Sequence, residues 1–196
     1  MKYLTFITEL HRKLQETEID PHQWEIRSIP IVGSTNDEAD YLLNYYEKVV
    51  ILSETQSQGR GRQKREWESP IGGIWMSIAV REILEVQELS TPLIHVIHEF
   101  LSELVECEIK YPNDIKINEL KVCGLLVEGK VIDNKLQQIV IGIGLNVFNE
   151  LPPTISNIAT KLSDHCDNLP DLPVIAANLA LKIISYLTTN ILNQQV

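Results

Sequence analysis

Sulfur is scarce in this 196-residue chain, which has three cysteines and two methionines. Cys107, Cys123 and Cys166 are far apart and odd in number, and no Cys-x-x-Cys pair occurs. That pattern supports neither a disulfide framework nor a zinc site, and it fits a reducing cytoplasm. Positive charge is also short: 17 Lys and Arg stand against 27 Asp and Glu, for a net charge of -10. Broad binding to nucleic acid or to an anionic membrane needs a basic footprint, so neither is expected as a partner. Long unbroken apolar runs are missing, and no segment is expected to cross a bilayer. The first residues include Glu9, His11, Arg12 and Lys13 and do not read as a secretory signal. There are no internal repeats and no low-complexity linker. With 44% hydrophobic residues, the length suits one domain with a sizeable core.

Against this acidic background one segment stands out: Glu54-Thr55-Gln56-Ser57-Gln58-Gly59-Arg60-Gly61-Arg62-Gln63-Lys64-Arg65-Glu66-Trp67. It is too polar for core. Gly59 and Gly61 allow positive φ and close approach to a ligand. Arg60, Arg62 and Arg65 offer planar forks for phosphate or carboxylate. The segment reads as a site for a small anion, although a solvated charged loop would look similar.

Hydrophobic periodicity predicts a helix over Tyr3–Gln15 and a strand over Trp24–Ile31. Ser34-Thr35-Asn36-Asp37-Glu38 is a helix start, with hydroxyl caps and acids in the first turn, and that helix is expected to reach about Tyr46. Strands are expected at Lys48–Ser53, Gly73–Arg81, Glu108–Tyr111, Ile115–Ile117, Val122–Ile132 and Leu136–Leu145. Asp133-Asn134 turns between the last two. Amphipathic helices are expected over Thr91–Glu106 and Pro170–Leu192, the second capped by Asp171 with Pro173 in its first turn. Adjacent strands mixed with helices give an α+β fold around a mixed β-sheet flanked by helices.

Four further segments can carry chemistry. They are Gly33-Ser34-Thr35-Asn36, Lys110-Tyr111-Pro112-Asn113-Asp114, Lys121-Val122-Cys123-Gly124-Leu125-Leu126-Val127-Glu128 and Ile141-Gly142-Ile143-Gly144-Leu145-Asn146. Singly, each has a plainer reading. Ser34-Thr35 can be only a cap, Asn113-Asp114 only a turn, and Gly142 and Gly144 a bulge or tight crossing. The Gly-x-Gly lacks the third glycine of a dinucleotide fold, and no Gly-Lys-Ser/Thr follows the basic run.

Together and in this order, the segments resemble the catalytic domain of biotin protein ligases over roughly Trp24 to Asn146; Ala159-Thr160-Lys161-Leu162 is similar too. The resemblance implies the biotin/lipoate protein ligase catalytic-domain fold. It also implies an ATP- and Mg²⁺-dependent enzyme that activates biotin as biotinyl-5′-AMP and passes it to a lysine of a biotin carboxyl carrier protein, that of acetyl-CoA carboxylase or a related carboxylase. By resemblance, Ser34, Thr35, Asn36, Gln56, Gly59, Arg60, Lys121 and Gly124 would bind biotin. Arg62, Arg65, Trp67, Asn113 and Asn146 would bind the nucleotide. Lys121, Arg60 and Asp114 would be catalytic, with Asp114 also near Mg²⁺ on the nucleotide. The loop Gly59–Lys64 would close over a hydrolysable mixed anhydride. Residues 1–196 would form one catalytic domain, with neither an N-terminal helix-turn-helix nor a C-terminal β-barrel domain. A homodimer through the sheet is an open possibility of the family.

Three positions depart from the family pattern. Lys64 stands where glycine is common, Tyr111 where tryptophan is common, and Cys123 where alanine is common. Tyr111 is expected to keep the pocket wall and to need a partner for its hydroxyl; Cys123 reads as a buried, inert thiol. His95, His98 and Glu99 share a helix face but lack a fourth ligand, so packed or solvated histidines are expected. Ile74, Met76, Ile78 and Val80 alternate as one sheet face, either core or a subunit contact. Two other functions stay open: a lipoate or octanoate ligase or transferase, and a non-catalytic biotin-binding protein.

Overall fold

The computed structural model describes residues 2–81, 84–85, 89–133 and 135–190. The expected turn residue Asn134 and the last two residues of the expected closing helix lie outside them. In chain order the elements are α1 (Lys2–Gln15), β1 (Glu25–Val32), α2 (Thr35–Leu42), β2 (Lys48–Gln56), β3 (Ile74–Val80), β4 (Leu84–Glu85), α3 (Ser90–Ser102), β5 (Glu108–Lys110), β6 (Asp114–Ile117), β7 (Leu120–Ile132), β8 (Lys135–Leu145) and α4 (Leu172–Asn190). The sheet runs β1-β2-β3-β8-β7-β6-β5, and β4 pairs with β8 off this path. β1 and β2 are parallel and the remaining pairs antiparallel, which makes the sheet mixed.

Strand alternation assigns the two faces. Ile74, Met76, Ile78 and Val80 of β3 join Ile139, Ile141, Ile143 and Leu145 of β8 in the main core. There they meet α1 through Phe6, Leu10 and Leu14, α3 through Leu93, Ile94, Ile97 and Leu101, and α4 through Ile175, Leu179, Ile183 and Leu187. The β3 stripe is therefore core and not a subunit contact. On the other face α2 packs Ala39, Leu42 and Leu43 against Val49, Ile51, Ala79 and Val140. α2 is short, so much of this second face is left for a cleft.

Several boundaries differ from those predicted. α2 stops at Leu42, because the chain turns back through bonds from Tyr45 and Tyr46 N–H to the Leu42 carbonyl and from Asn44 Nδ2 to the Tyr41 carbonyl. β2 continues to Gln56, where its edge pairs with β1 through Val32. α4, at 19 residues and mean hydropathy 1.4, is long and apolar enough to cross a membrane by length and composition, contrary to the expectation that no segment is. Its apolar side is spent on the core, which is what a helix buried against a sheet requires. Of the two histidines expected to be packed or solvated, His98 is half-buried with Nε2 3.0 Å from the Cys107 carbonyl, and His95 is exposed with Nε2 2.9 Å from Tyr111 Oη.

Candidate active site

The cleft holds about 500 Å³ above β3, β8 and β7. Its floor is made of small residues. Register aligns Gly142 with Ser77 across β8 and β3, and Gly144 with Gly124 across β8 and β7. The Trp67 ring lies on this floor; a Cβ on Gly144 would fall 2.5 Å from it and one on Gly124 2.8 Å. Trp67 is fixed edge-on against Trp75, with ring centroids 6.4 Å apart.

One wall is the start of α2. Ser34, Thr35 and Asn36 are each 4% exposed. Ser34 makes no side-chain capping bond, contrary to expectation. The cap comes from β2: Gln56 Oε1 accepts from Thr35 N at 2.8 Å and from Thr35 Oγ1 at 3.1 Å, while Gln56 Nε2 donates to Ser69 Oγ at 2.8 Å. Ser77 Oγ, fully buried, lies 2.8 Å from Thr35 Oγ1 and 2.6 Å from Asn36 Oδ1. Asn36 Nδ2 donates to Glu128 Oε2 at 2.7 Å. The same carboxylate accepts from Arg60 Nη2 at 2.9 Å, and Arg60 Nη1 donates to Asp37 at 2.9 Å. Asp37's hydrogen bond foremost, and then Glu128's, holds the Arg60 guanidinium above its ordinary range against the opposing cost of burial. A continuous polar chain thus joins the helix start to the basic loop.

The opposite wall depends on a β-bulge. Ile115 pairs with Cys123 and the next residue, Lys116, pairs with Lys121, so Val122 is the extra residue on β7. Strict alternation would send Lys121 to the core face with Cys123. The bulge lets both Val122 and Cys123 point into the core, fully buried, and turns Lys121 into the cleft. Lys121 Nζ then lies 2.7 Å from Asp114 Oδ1 and 4.7 Å from the Trp67 ring centroid. The Lys121 backbone is held by the segment after β8: its N–H donates to the Ile158 carbonyl, and its carbonyl accepts from Thr160 N, both at 2.9 Å. Ile155, Asn157, Ile158 and Ala159 of that segment also line the cleft.

The basic loop folds back on itself, with a bridge between Arg60 and Glu66 and a bond from Gly61 N to the Arg65 carbonyl at 2.7 Å. Neither Gly59 nor Gly61 uses the positive φ expected of it. Gly59 is required by closeness, since a Cβ there would lie 2.5 Å from the Trp67 carbonyl oxygen; at Gly61 the nearest atom is 3.8 Å away. The left-handed residues are instead Gln63 at φ 57° and Lys64 at φ 58°. That conformation costs an L-residue about 1–2 kcal/mol and favours glycine, so Lys64 occupies a position at which glycine would be unstrained.

Ser34, Thr35, Asn36, Gln56, Arg60, Arg62, Arg65, Trp67, Asn113, Asp114, Lys121, Gly124 and Asn146 all border this one cleft; Gly59 does not, and acts behind it. Asn146, expected to bind the nucleotide, has its amide committed: Nδ2 donates to the Thr160 carbonyl at 3.0 Å and Oδ1 accepts from Asn149 Nδ2 at 3.1 Å. Asn113 Nδ2 donates to the Leu125 carbonyl at 2.8 Å, and Arg62 Nη1 reaches its Oδ1 at 3.4 Å. Tyr111 forms no wall of the cleft; the residue is 57% exposed and its hydroxyl meets His95 on α3. Ser77, Glu128, Ile155, Asn157 and Ile158 were not anticipated as site residues, whereas Ala159 opens a segment already similar to the family. Glu128 ends one of the quoted motifs, but its partners are 68 and 92 positions away. Cys123 is inert as expected: burial pushes its thiol up to about 12.

Among the described residues no group of three or more His, Cys, Asp or Glu side chains could hold a metal ion. Asp114 is a single carboxylate beside cationic side chains. That donor set fits Mg²⁺ only as it is carried by nucleotide phosphates with one protein carboxylate nearby.

Residues 27–146 match the Biotin/lipoate A/B protein ligase family. The chain is 33% identical over 146 residues to the bifunctional ligase/repressor BirA of Bacillus subtilis, covering 68% of this chain and 44% of that protein. It is 31% identical over 170 residues to a biotin–[acetyl-CoA-carboxylase] ligase of Mycobacterium tuberculosis, covering 75% of this chain and 58% of that one. The chain thus spans about half the length of the relatives it matches. The fold is similar to that of the biotin protein ligase from Aquifex aeolicus in complex with biotin and ATP, with TM-score 0.63, 27% identity, and coverage of 84% of this chain and 72% of that one. With the matched segment holding the whole α2 wall, the basic loop, the bulged strand and the glycine floor, this chain belongs to the biotin/lipoate A/B protein ligase family.

Proposed function

We propose that the chain activates biotin with ATP to biotinyl-5′-AMP and transfers the biotinyl group to a lysine of a biotin carboxyl carrier domain. The observation that carries this reading is the composition of the one cleft. A desolvated, uncharged hydrogen-bonding cluster at Ser34, Thr35 and Asn36 lies across the sheet from Arg62, Arg65 and Lys121. From Gln56 on β2 to Asp114 on β6 the lining crosses four strand spacings, ~19 Å at ~4.8 Å each. That length suits an extended small acid laid end to end with a nucleotide. The relatives' ligase activity and the biotin and ATP bound by the Aquifex protein support the same ligands.

In this reading the α2 wall holds the ureido end of biotin by neutral hydrogen bonds, and Trp67, on the glycine floor, packs beside the nucleotide. Lys121 draws the carboxylate and the α-phosphate together and stabilises charge building on the phosphate oxygens. A carboxylate oxygen bonds to the α-phosphorus, the bond to the β-phosphate oxygen breaks, and pyrophosphate leaves past Arg62 and Arg65. In the second step the carrier amine attacks the biotinyl carbonyl, AMP departs, and Asp114 takes the amine proton. Mg²⁺, when bound with the nucleotide, neutralises phosphate charge beside Asp114. A simple biotin binder has no use for this cationic wall.

The test is incubation of the purified chain with biotin, MgATP and a carboxylase carrier domain, read by intact mass. A biotin-sized increase on the carrier lysine is expected. Biotinyl-AMP without transfer would limit the chain to the first step, and neither product would defeat the reading.

A further inference from the structure

Lys116 takes no part in the reading above, yet its side chain borders the same cleft as Arg62, Arg65 and Lys121. The bulge at Val122 makes Lys116 and Lys121 direct cross-strand partners. Like charges directly opposite each other destabilise a sheet, so each lysine here needs an anion. The two are served unequally. Lys121 lies 2.7 Å from Asp114, a side chain 27% exposed on the same sheet. Lys116, itself only 22% exposed, is 3.0 Å from Glu119, which is 82% exposed. Glu119 stands in the tight turn between β6 and β7, at φ 67° beside Asn118 at φ 48°. A carboxylate so exposed holds its partner weakly, because water and salt compete for it. A part-buried lysine with a weak, displaceable counterion, facing a cleft already lined by three arginines and Lys121, is suited to exchange carboxylate for phosphate.

We propose that Lys116 binds the β- and γ-phosphates of the nucleotide and the pyrophosphate they become, with Glu119 as its resting counterion. The proposal rests on the adenylating reading and adds to it a specific residue for the leaving group. On nucleotide binding Lys116 Nζ leaves Glu119 for a phosphate oxygen. Glu119 turns to solvent, at little cost for so exposed a group.

Two measurements on the full chain test this: titration calorimetry with inorganic pyrophosphate, and biotin-dependent exchange of labelled pyrophosphate into ATP. Lys116→Ala is expected to weaken pyrophosphate binding and raise the KM for ATP, each about tenfold, the loss of one charge-assisted contact, with the KM for biotin within about twofold of the parent. Lys116→Arg should restore most of the binding. Glu119→Gln should tighten pyrophosphate by about twofold to threefold, since the competing carboxylate is gone. It also keeps the proposal testable if Lys116→Ala fails to fold. Unchanged pyrophosphate binding in Lys116→Ala, or an equal rise in the KM for biotin, would overturn the assignment. If the parent chain binds pyrophosphate in a Lys116-dependent way but forms no adenylate, the ligase reading fails and the lysine's role stands. If it forms adenylate and Lys116→Ala behaves as the parent, only the lysine's role fails.

Discussion

Asn36 Nδ2 donates to Glu128 Oε2 at 2.7 Å across 92 positions of chain. Because a carboxylate only accepts, the contact fixes which way the Asn36 amide points and leaves its Oδ1 facing Ser77. Arg60 grips the same carboxylate through Nη2 at 2.9 Å. One residue on β7 thereby orients both the helix start and the basic loop.

Replacing Glu128 with Gln should separate stability from function. Its side chain is 41% exposed, so the ion pair with Arg60 contributes less than about 1 kcal/mol. A glutamine keeps an acceptor oxygen for the two donors that meet on Oε2, but it loses the charge and sets an N–H₂ donor against Arg60 Nε, where Oε1 now accepts. The KM for biotin should rise about tenfold, while the thermal midpoint moves by less than about 4 °C. A large loss of Tm with unaltered kinetics would contradict the positioning role.

Lys121→Ala should reduce biotinyl-AMP formation by about 10²–10³-fold, the usual cost of removing one preorganised electrostatic contact. Biotin binding measured by calorimetry should fall much less. Adenylation at the parent rate would remove Lys121 from the chemistry.

The glycine floor predicts a contrast. Gly144→Ala would put a methyl group 2.5 Å from Trp67, costing about 1–3 kcal/mol and lowering Tm by about 3–10 °C. Gly61→Ala, with nothing nearer than 3.8 Å and no positive φ, should stay within about 0.5 kcal/mol. Equal effects in differential scanning fluorimetry would refute the close-approach explanation.

The exposed run Arg62–Arg65 offers three basic cleavage positions. Trypsin should cut there in the free protein and more slowly when biotinyl-AMP is present, as expected of a loop that orders over the adenylate. Cleavage at equal rates in both conditions would count against closure. Lys64→Gly removes a left-handed lysine and should raise stability by up to about 1 kcal/mol, measured by urea denaturation.

Cys123 carries a pH signature. Its folded pKa of about 12 lies above the ordinary 9.0. Unfolded chains therefore ionise first as pH rises. The stabilising effect of keeping the thiol neutral is complete below pH 9.0 and is lost progressively towards about pH 12. At pH 8 an alkylating reagent should modify the half-buried Cys107 and Cys166 before Cys123, read by peptide mass. Rapid labelling of Cys123 would mean the core opens there.

The sequence was legible wherever a signal was local. The stripes Phe6-Leu10-Leu14 and Leu93-Ile97-Leu101 and the alternation Ile74-Met76-Ile78-Val80 each reflect a repeat set by helix or strand geometry, and those residues lie in the core. Tyr111 shows where this failed. Its place where the family has tryptophan suggested a pocket wall, but just after the edge strand β5 it is exposed and its hydroxyl meets His95.

By itself, then, the sequence determined an α+β chain with a particular core, because composition and periodicity need no knowledge of distant partners, and its motifs carried a resemblance that implied which anion-binding and amide side chains belong to the site. Only the tertiary structure decided how those side chains are aimed. Side-chain direction on a strand follows the ladder, and a single extra residue, Val122, reverses it and brings Lys121 to Asp114. Likewise Ser77, Glu128 and the segment at Ile158 join the site solely through contacts between separate strands and turns, which no local pattern encodes.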